Sequence, residues 1–272
     1  MPFASSTDAD PGTASCRERR MGINHFRIRR MIIILGAMDS EIEEFLSRLS
    51  SPQRHQWNGF AQHRGQLEGQ DVLVSKSGVG KVMSALVTQH LIDRWHPQAV
   101  IFTGLAGSLR PHIDIGDTLL AADLVQHDLE SAGLQLPRGQ VPYSDYRFMP
   151  ADPVLLELAA GFVPATGKVH RGRICTGDQF ITCREMDSHA YLTEELEGDG
   201  VEMEGASVAL VCSVNRVPFL VARTISDRAD GSAADNFEAF LPRASRNSLD
   251  LVRFLLPRIA RAELRGAQGS AE

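Results

Sequence analysis

The chain has 272 residues, a formal net charge of -6 and a pI near 5.9, values typical of an ordinary soluble protein with an ample core. No stretch combines dense basic residues with interleaved aromatics, so we expect neither a nucleic-acid nor a lipid-surface partner. The longest apolar runs, at residues 31–35 and 217–222, are strand-sized and far too short for a membrane span.

The four cysteines are scattered, without CxxC spacing or a matching histidine pair. This pattern favours buried free thiols in a reducing cytoplasm over a disulfide framework or a zinc site. We therefore predict a cytoplasmic protein with no bound metal.

The N-terminal segment differs in composition from the rest of the chain. Residues 1–30 combine Ser, Thr, Asp, Pro and Gly with a cluster of arginines, and they lack the apolar core of a signal peptide. We expect a disordered tail, explained either by a start placed too early, with initiation at Met21 or Met31, or by a targeting role, which its acidic residues disfavour. Residues 31–264 form the predicted domain, and residues 265–272 a second disordered tail.

From residue 31 onward, strand-like and helix-like segments alternate. Apolar runs predict strands at residues 32–35, 60–67, 72–75, 99–103, 118–125, 168–175, 201–203 and 219–225. Apolar periodicity with terminal signals predicts helices at residues 41–49, 81–95, 153–162, 205–214 and 245–263. Ser40 with Glu43 resembles a capping box that opens the first helix.

No internal repeat or linker divides these elements. Residues 127–150, rich in Gly, Pro and Tyr, read as a long loop near a site or an interface. The alternation of strands and helices predicts one α/β domain, a three-layer sandwich with a central mixed β-sheet flanked by helices.

A glycine-rich run, SGVGK at residues 77–81, suggests a phosphate-binding loop but does not fit the known patterns. A Walker A loop needs glycine at position 75 and Ser or Thr after the lysine, where this chain has Ser75 and Val82. A dinucleotide-binding GxGxxG needs a third glycine where Met83 stands. The run predicts only a strand-to-helix turn whose backbone can approach another group closely.

Three carboxylates, Glu41, Glu204 and Asp227, follow predicted strands. Ligands bind at the carboxyl ends of strands in open α/β sheets, so their convergence would indicate acid/base chemistry on a polar small molecule. Each acid also has a structural explanation. Glu41 lies at a predicted helix N-terminus, which favours any carboxylate. Glu202 and Glu204 could share a solvated face of a strand, and Asp227 could cap a turn.

Seven short motifs occur in one order between residues 31 and 259. They are GAM with Glu41, SGVGKV at 77–82, TGLAGSL at 103–109, QHD at 126–128, GDQFI at 177–181, VEMEGASVA at 201–209 and ISD at 225–227. This set resembles the 5′-methylthioadenosine/S-adenosylhomocysteine nucleosidase family of the purine nucleoside phosphorylase superfamily. The residues of the GDQF and EMEGAS motifs are most similar to those of family members that also cleave aminodeoxyfutalosine in menaquinone synthesis.

The resemblance implies hydrolysis of the N-glycosidic bond of 5′-substituted adenine nucleosides, with release of adenine. Asp227 matches the acid that protonates N7 of adenine, which requires a pKa raised by burial. Glu41 matches the base that activates the attacking water, and its helix N-terminus should keep it ionised. The resemblance also implies a homodimer that needs no cofactor or metal.

The substrate contacts are likewise implied by the resemblance. Glu204 matches the carboxylate that binds the ribose hydroxyls, with Met203 packed against the sugar. Phe180 matches the residue that stacks on adenine, whose edge the backbone of Ile181 reads. The other matching positions are Met38, Val79 and Phe237 around the 5′ substituent, with Ala106, Gly107, Glu202, Ser226 and Arg223 as further contacts or supporting groups. By themselves, Met38, Phe180 and Phe237 are equally compatible with plain core.

Two other functions stay open at this stage. A phosphorylase would need arginines and a serine around phosphate, whereas the first glycine loop has no arginine and the second offers Phe102 and Leu105, so water is the better nucleophile. Leu105 also replaces the serine of many nucleosidases in the family. A non-catalytic nucleoside-binding module would not need both Glu41 and Asp227. The motifs do not rank methylthioadenosine, S-adenosylhomocysteine, 5′-deoxyadenosine and aminodeoxyfutalosine as substrates.

Overall fold

The computed structural model describes residues 31–181, 187–228, 233–262 and 264, with side chains for all of these except 187, 228 and 233–239. The predicted tails lie outside these residues. Within the described part of the chain, no helix is long and apolar enough to cross a membrane. Cys175 and Cys212, the cysteines that fall within it, are free and buried.

The described residues form ten strands and six helices. The strands are β1 (Ile32–Gly36), β2 (Ser50–Trp57), β3 (Phe60–Leu67), β4 (Gln70–Lys76), β5 (Ala99–Ser108), β6 (Thr118–Gln126), β7 (Met149–Pro150), β8 (Val169–Thr176), β9 (Gly200–Glu202) and β10 (Phe219–Arg228). The helices are α1 (Asp39–Arg48), α2 (Lys81–Trp95), α3 (Pro153–Ala160), α4 (Tyr191–Glu194), α5 (Gly205–Val214) and α6 (Ala233–Ile259), with short 3-10 helices at Ala132–Leu134 and Asp187–His189.

The strands form one mixed sheet in the order β10-β6-β8-β9-β5-β1-β4-β3-β2, with β7 paired to β6. Because β10 also pairs with β5, the strands β5, β10, β6, β8 and β9 close into a ring. Strands β4, β1, β5 and β10 run parallel to one another. Their carboxyl ends therefore meet at one edge of the sheet, which is where a ligand site is expected.

Helices cover both faces of this sheet. Helices α1, α3 and α6 pack together on one face, and α2 packs with α5 on the other. Strand β1 is buried along its whole length, as expected for a strand covered on both sides. The predicted three-layer α/β sandwich with a central mixed sheet is confirmed.

One strand was not predicted, and several predicted element boundaries are wrong. Strand β2 was not predicted because it is an edge strand of mostly exposed, polar residues that includes Pro52, and it has no apolar alternation. Strands β5 and β10 extend beyond residues 103 and 225, and α6 begins well before residue 245. The predicted loop at 127–150 contains a 3-10 turn and β7.

The first helix also starts earlier than predicted. Asp39 is its first residue and Met38 its N-cap, so Ser40 and Glu43 do not form the expected capping box. Glu41, the third helical residue, instead accepts hydrogen bonds from the backbone N–H groups that precede the helix. The side chain expected to act in chemistry thus also fixes the start of α1.

Candidate active site

A cavity of about 270 Å³ lies at the edge where the carboxyl ends of β1, β5 and β10 meet. Its wall is largely apolar but includes four acidic side chains, an arrangement typical of small-molecule sites. The lining residues are Ala37, Met38, Glu41, Val79, Leu105, Ala106, Gly107, Gln179, Phe180, Ile181, Val201, Glu202, Met203, Glu204, Ser226 and Asp227.

Every predicted site residue except Phe237 and the supporting residue Arg223 lines this cavity. The side chain of Phe237 is outside the described residues. Ala37, Leu105, Gln179 and Val201 also line the cavity and were not predicted as contacts. Each of them lies inside one of the recognised motifs, so position within a motif was the signal that could have identified them.

Glu41 is 6% exposed, in the first turn of α1. Its Oε2 accepts hydrogen bonds from the N–H groups of Ala37 at 2.5 Å and Met38 at 3.2 Å, and its Oε1 accepts one from Leu105 at 3.2 Å. Burial raises the pKa of Glu41, and Arg223 together with these N–H groups offsets only part of that rise. The expected effect of the helix N-terminus is therefore outweighed by burial, which makes the Glu41 carboxylate a stronger base than that of an exposed glutamate.

Arg223 lies beneath the cavity, among its acidic side chains. Its side chain is 1% exposed, and Nη2 lies 2.5 Å from Glu202 Oε2 and 3.8 Å from Glu204 Oε2. The guanidinium carbon lies 4.0 Å from the centre of the Phe102 ring. Burial disfavours the charge, but the surrounding carboxylates, Glu202 first, outweigh it and raise the pKa of Arg223. Arg223 is thus a permanent buried cation.

The carboxylate of Glu202 accepts hydrogen bonds from other groups of the protein. Its Oε1 accepts hydrogen bonds from the Thr176 hydroxyl and, at 2.9 Å, from the N–H of Gly205. Its Oε2 accepts from the N–H groups of Glu204 at 3.1 Å and Gly205 at 2.7 Å, and from Arg223. Glu202 therefore anchors both the start of α5 and Arg223, although it also lines the cavity.

Glu204 is the N-cap residue of α5 and is 6% exposed. Its Oε1 accepts a hydrogen bond from the N–H of Gly80 at 2.9 Å, which joins it to the turn before α2. Burial, and then repulsion from Glu202, raise the pKa of Glu204 to about 8, against the opposing effect of Arg223. Glu204 therefore binds a proton more readily than an exposed glutamate does.

Asp227 follows a bulge in β10 at Ser226, where the register against Ala106 and Gly107 of β5 shifts. A bulge changes the direction in which the following side chains point, which is a common feature of strands next to active sites. The Ser226 hydroxyl donates to Asp227 Oδ2 at 2.7 Å, and Asp227 is 4% exposed. A Cβ atom on Gly107 would lie 3.0 Å from Asp227 Oδ1, so a side chain there would crowd this carboxyl.

The remaining wall is apolar and partly open to solvent. Phe180 and Val79 are 54% and 52% exposed, whereas Ile181 is 6% exposed. Across the described residues, no group of three or more His, Cys, Asp or Glu side chains is arranged to hold a metal ion. The cavity therefore combines buried acids at its base with apolar side chains towards its opening.

Comparisons with known proteins agree with this geometry. Residues 31–257 match the Phosphorylase superfamily. The 5′-methylthioadenosine/S-adenosylhomocysteine nucleosidase of Chromohalobacter salexigens is 34% identical over 236 residues, which cover 86% of this chain and 99% of the relative.

Two solved structures are similar over nearly their whole length. A futalosine hydrolase mutant of Helicobacter pylori is 34% identical with a TM-score of 0.77, over 84% of this chain and 99% of that one. The 5′-methylthioadenosine/S-adenosylhomocysteine nucleosidase of Neisseria meningitidis, in complex with methylthio-immucillin-A, is 29% identical with a TM-score of 0.79 over the same shares. The motif-based prediction is confirmed: the chain belongs to the 5′-methylthioadenosine/S-adenosylhomocysteine nucleosidase family of the phosphorylase superfamily.

Proposed function

We propose that this protein hydrolyses the N-glycosidic bond of 5′-substituted adenine nucleosides and releases adenine. The substrates would be methylthioadenosine, S-adenosylhomocysteine, 5′-deoxyadenosine and aminodeoxyfutalosine. The observation that carries the proposal is that two buried carboxyl groups, Glu41 and Asp227, line one cavity beside an acidic cluster that can bind a sugar. The similar proteins are consistent with this range, since one is a futalosine hydrolase and another holds methylthio-immucillin-A.

The two carboxyl groups would perform different steps. Asp227, in its protonated form, would donate to N7 of adenine and make the base a neutral leaving group while the ribose develops oxocarbenium character. Glu41, in its ionised form, would accept a proton from the attacking water. The pKa of Glu41 is raised by burial, so the carboxylate is a stronger base than an exposed glutamate.

Glu204 would bind the ribose hydroxyls, and Met203 would pack against the sugar. Glu202 would hold Glu204 and Met203 in position, because its carboxylate binds Arg223 and the backbone at the start of α5. Arg223 supplies the positive charge that offsets the three neighbouring carboxylates.

Adenine would lie between the β5 backbone at Ala106 and Gly107 and the ring of Phe180, with its edge on the backbone of Ile181. The opposite end of the substrate, the 5′ substituent, would contact the apolar side chains Met38, Val79 and Phe237. The largely apolar wall around the cavity supports a thioether or alkyl group at this position.

A phosphorylase is disfavoured by the charge around the cavity. Among the described residues, the lining includes four acidic side chains and no arginine or lysine, and Leu105 is apolar. Arg223, the nearby cation, is bound to Glu202 and surrounded by carboxylates. A phosphate dianion would be repelled here, so water is the better nucleophile.

We also infer a cytoplasmic homodimer. Val82, Met83 and Leu86 of α2 are 75%, 38% and 51% exposed, and they continue from Val79 at the cavity wall. An exposed apolar stripe of this kind is typical of a protein interface, and a second copy of this chain is the occupant we propose.

One assay tests the proposed reaction. Free adenine and sugar products are measured for the four nucleosides, with and without inorganic phosphate. We expect adenine and free pentose at the same rate in both conditions. A ribose 1-phosphate product would identify a phosphorylase, and tight binding without any adenine release would identify a non-catalytic module.

A further inference from the structure

Lys81, the first residue of α2, has a side chain that is largely buried beside the active site. The side chain is 17% exposed, and Nζ lies 2.6 Å from Oδ1 of Asp128, whose side chain is 23% exposed. Asp128 follows the carboxyl end of β6. Neither residue lines the cavity, so this ion pair has no direct contact with the substrate position.

The ion pair belongs to a closed ring of hydrogen bonds. The other carboxylate oxygen of Asp128 accepts the N–H of Asp178 at 2.9 Å. Asp178 Oδ1 in turn accepts the backbone N–H of Lys81 at 2.8 Å. Three bonds therefore connect the start of α2 with the segments that follow β6 and β8.

The ring adjoins Gly80, whose N–H binds Glu204, the predicted ribose ligand. Gly80, which precedes Lys81, donates its N–H to Glu204 Oε1 at 2.9 Å. Gly80 has φ of +88°, and a Cβ atom there would lie 3.0 Å from Asp178 Oδ1, so both its conformation and its surroundings favour glycine. Successive backbone N–H groups thus bind two carboxylates, Glu204 inside the cavity and Asp178 outside it.

We propose that Lys81 is a positioning residue, which through Asp128 and Asp178 holds the Gly80 N–H against Glu204 and so fixes the carboxyl group that binds the ribose. This inference rests on the proposed function. It assigns to the ring of Lys81, Asp128 and Asp178 the task of orienting Glu204, a task for which small displacements matter because reacting and binding groups must be aligned to within about 1 Å.

Charge explains why a lysine is needed at this point. Burial acts to raise the pKa of Asp128, but the hydrogen bonds from Lys81 and from the Asp178 N–H outweigh it and hold that pKa below its ordinary value. An uncharged side chain at position 81 would leave the partly buried carboxylate of Asp128 without its cation. The ring would then open, and the Gly80 peptide would lose its support.

Two variants of Lys81 test the proposal. Lys81→Met removes the ammonium but keeps the backbone N–H, whereas Lys81→Arg keeps a cation that can reach Asp128. We expect Lys81→Met to lower kcat/KM for methylthioadenosine by about tenfold to 100-fold, and Lys81→Arg to recover most of that loss. The 2′,3′-dideoxy analogue, which lacks the hydroxyls that Glu204 binds, should be cleaved at nearly equal rates by the wild type and Lys81→Met.

Arg64→Met is the matched control. Arg64 forms a comparable ion pair with Asp71, at 2.7 Å, between β3 and β4. We expect this variant to lower Tm as much as Lys81→Met does while keeping kcat/KM. The double variant Lys81→Met with Asp128→Asn should be no worse than the more impaired single variant, since both break the same ring.

The outcomes separate this inference from the proposed function. A wild-type protein that releases no adenine would contradict the proposed function. If the wild type is active and Lys81→Met has the same kcat/KM, the positioning role is contradicted. Equal losses of kcat/KM on methylthioadenosine and on its dideoxy analogue would also contradict it, because the effect would then not depend on Glu204.

Discussion

Gly104 of β5 lies directly against the carboxyl group of Glu41. A Cβ atom at Gly104 would lie 2.6 Å from Glu41 Oε1 and 2.7 Å from Arg223 Nη1. Contacts this short do not occur, so any side chain at this position must displace the carboxyl, the guanidinium or both. The sheet therefore approaches the proposed catalytic base to a distance that only glycine permits.

Gly104→Ala should inactivate the enzyme without unfolding it. The added methyl group pushes Glu41 out of its hydrogen bonds, and we expect kcat for methylthioadenosine to fall by about 100-fold or more. Gly133→Ala is the control, because nothing lies within 4 Å of a Cβ at that glycine. Equal activity of Gly104→Ala and the control in the adenine-release assay would show that the position of Glu41 is not critical.

Asp227→Asn should abolish turnover and preserve the fold. The amide is nearly isosteric and keeps hydrogen-bonding groups, but it has no acidic proton for N7 of adenine, and general acid catalysis is worth about 10²–10⁴-fold. Asp250→Asn, at an exposed position of α6, controls for the loss of a carboxylate. A folded Asp227→Asn with a near wild-type rate would mean that another group activates the leaving base.

The fold was largely predictable, because most of its strands are short apolar runs, and such runs are typical of buried strands. β1 is the clearest case, since every residue of it is buried. β2 was missed for the opposite reason: its residues are polar and exposed, and its conformation comes from pairing with β3 rather than from its own sequence. Pairing between distant segments, such as β10 with β5, is likewise not encoded in local sequence pattern.

The acids of the site were predictable from the motifs, and the resemblance named Arg223 as a contact or supporting group, but its partners were not predictable. The position of Arg223 among the carboxylates depends on separate segments of the chain that meet only in the folded protein. The raised pKa of Glu41 also depends on enclosure by β5, which the sequence position at a helix N-terminus does not reveal. Burial is a property of the folded assembly, so its effect on charge escapes sequence reasoning.

Glu204 should make stability depend on pH. Its pKa is about 8 in the folded protein, above its ordinary value of 4.5, so the folded state keeps a proton that the unfolded state has lost. This contribution is fully present below pH 4.5 and is lost as pH rises through about 8. Glu204→Gln, a mimic of the protonated acid, does not ionise and so lacks this pH dependence. Tm of the wild type relative to Glu204→Gln should therefore fall as pH rises, and a constant difference would contradict the assignment.

The exposed stripe on α2 should control the oligomeric state. Leu86 is 51% exposed, and Leu86→Glu would place a charge in the proposed interface between two copies. We expect sedimentation velocity to show a dimer for the wild type and a monomer for Leu86→Glu. Val163→Glu, at a residue that is 84% exposed away from α2, should remain dimeric. A dimeric Leu86→Glu, or a monomeric wild type, would contradict the proposed interface.

The assignments of Glu41 and Glu204 can be separated because they concern different parts of the same reaction. Glu41→Gln should remove water activation while leaving the ribose contacts intact, so KM should change little and kcat should fall by about 10²–10⁴-fold. Glu204→Gln should weaken bonds to the ribose hydroxyls that strengthen as positive charge develops on the sugar, so affinity and turnover should fall together. The 2′,3′-dideoxy analogue distinguishes the two, since it lacks those hydroxyls: its cleavage should be nearly insensitive to Glu204→Gln and remain sensitive to Glu41→Gln. Equal sensitivity to both substitutions would mean that Glu204 is not the ribose ligand and that the sugar lies elsewhere in the cavity.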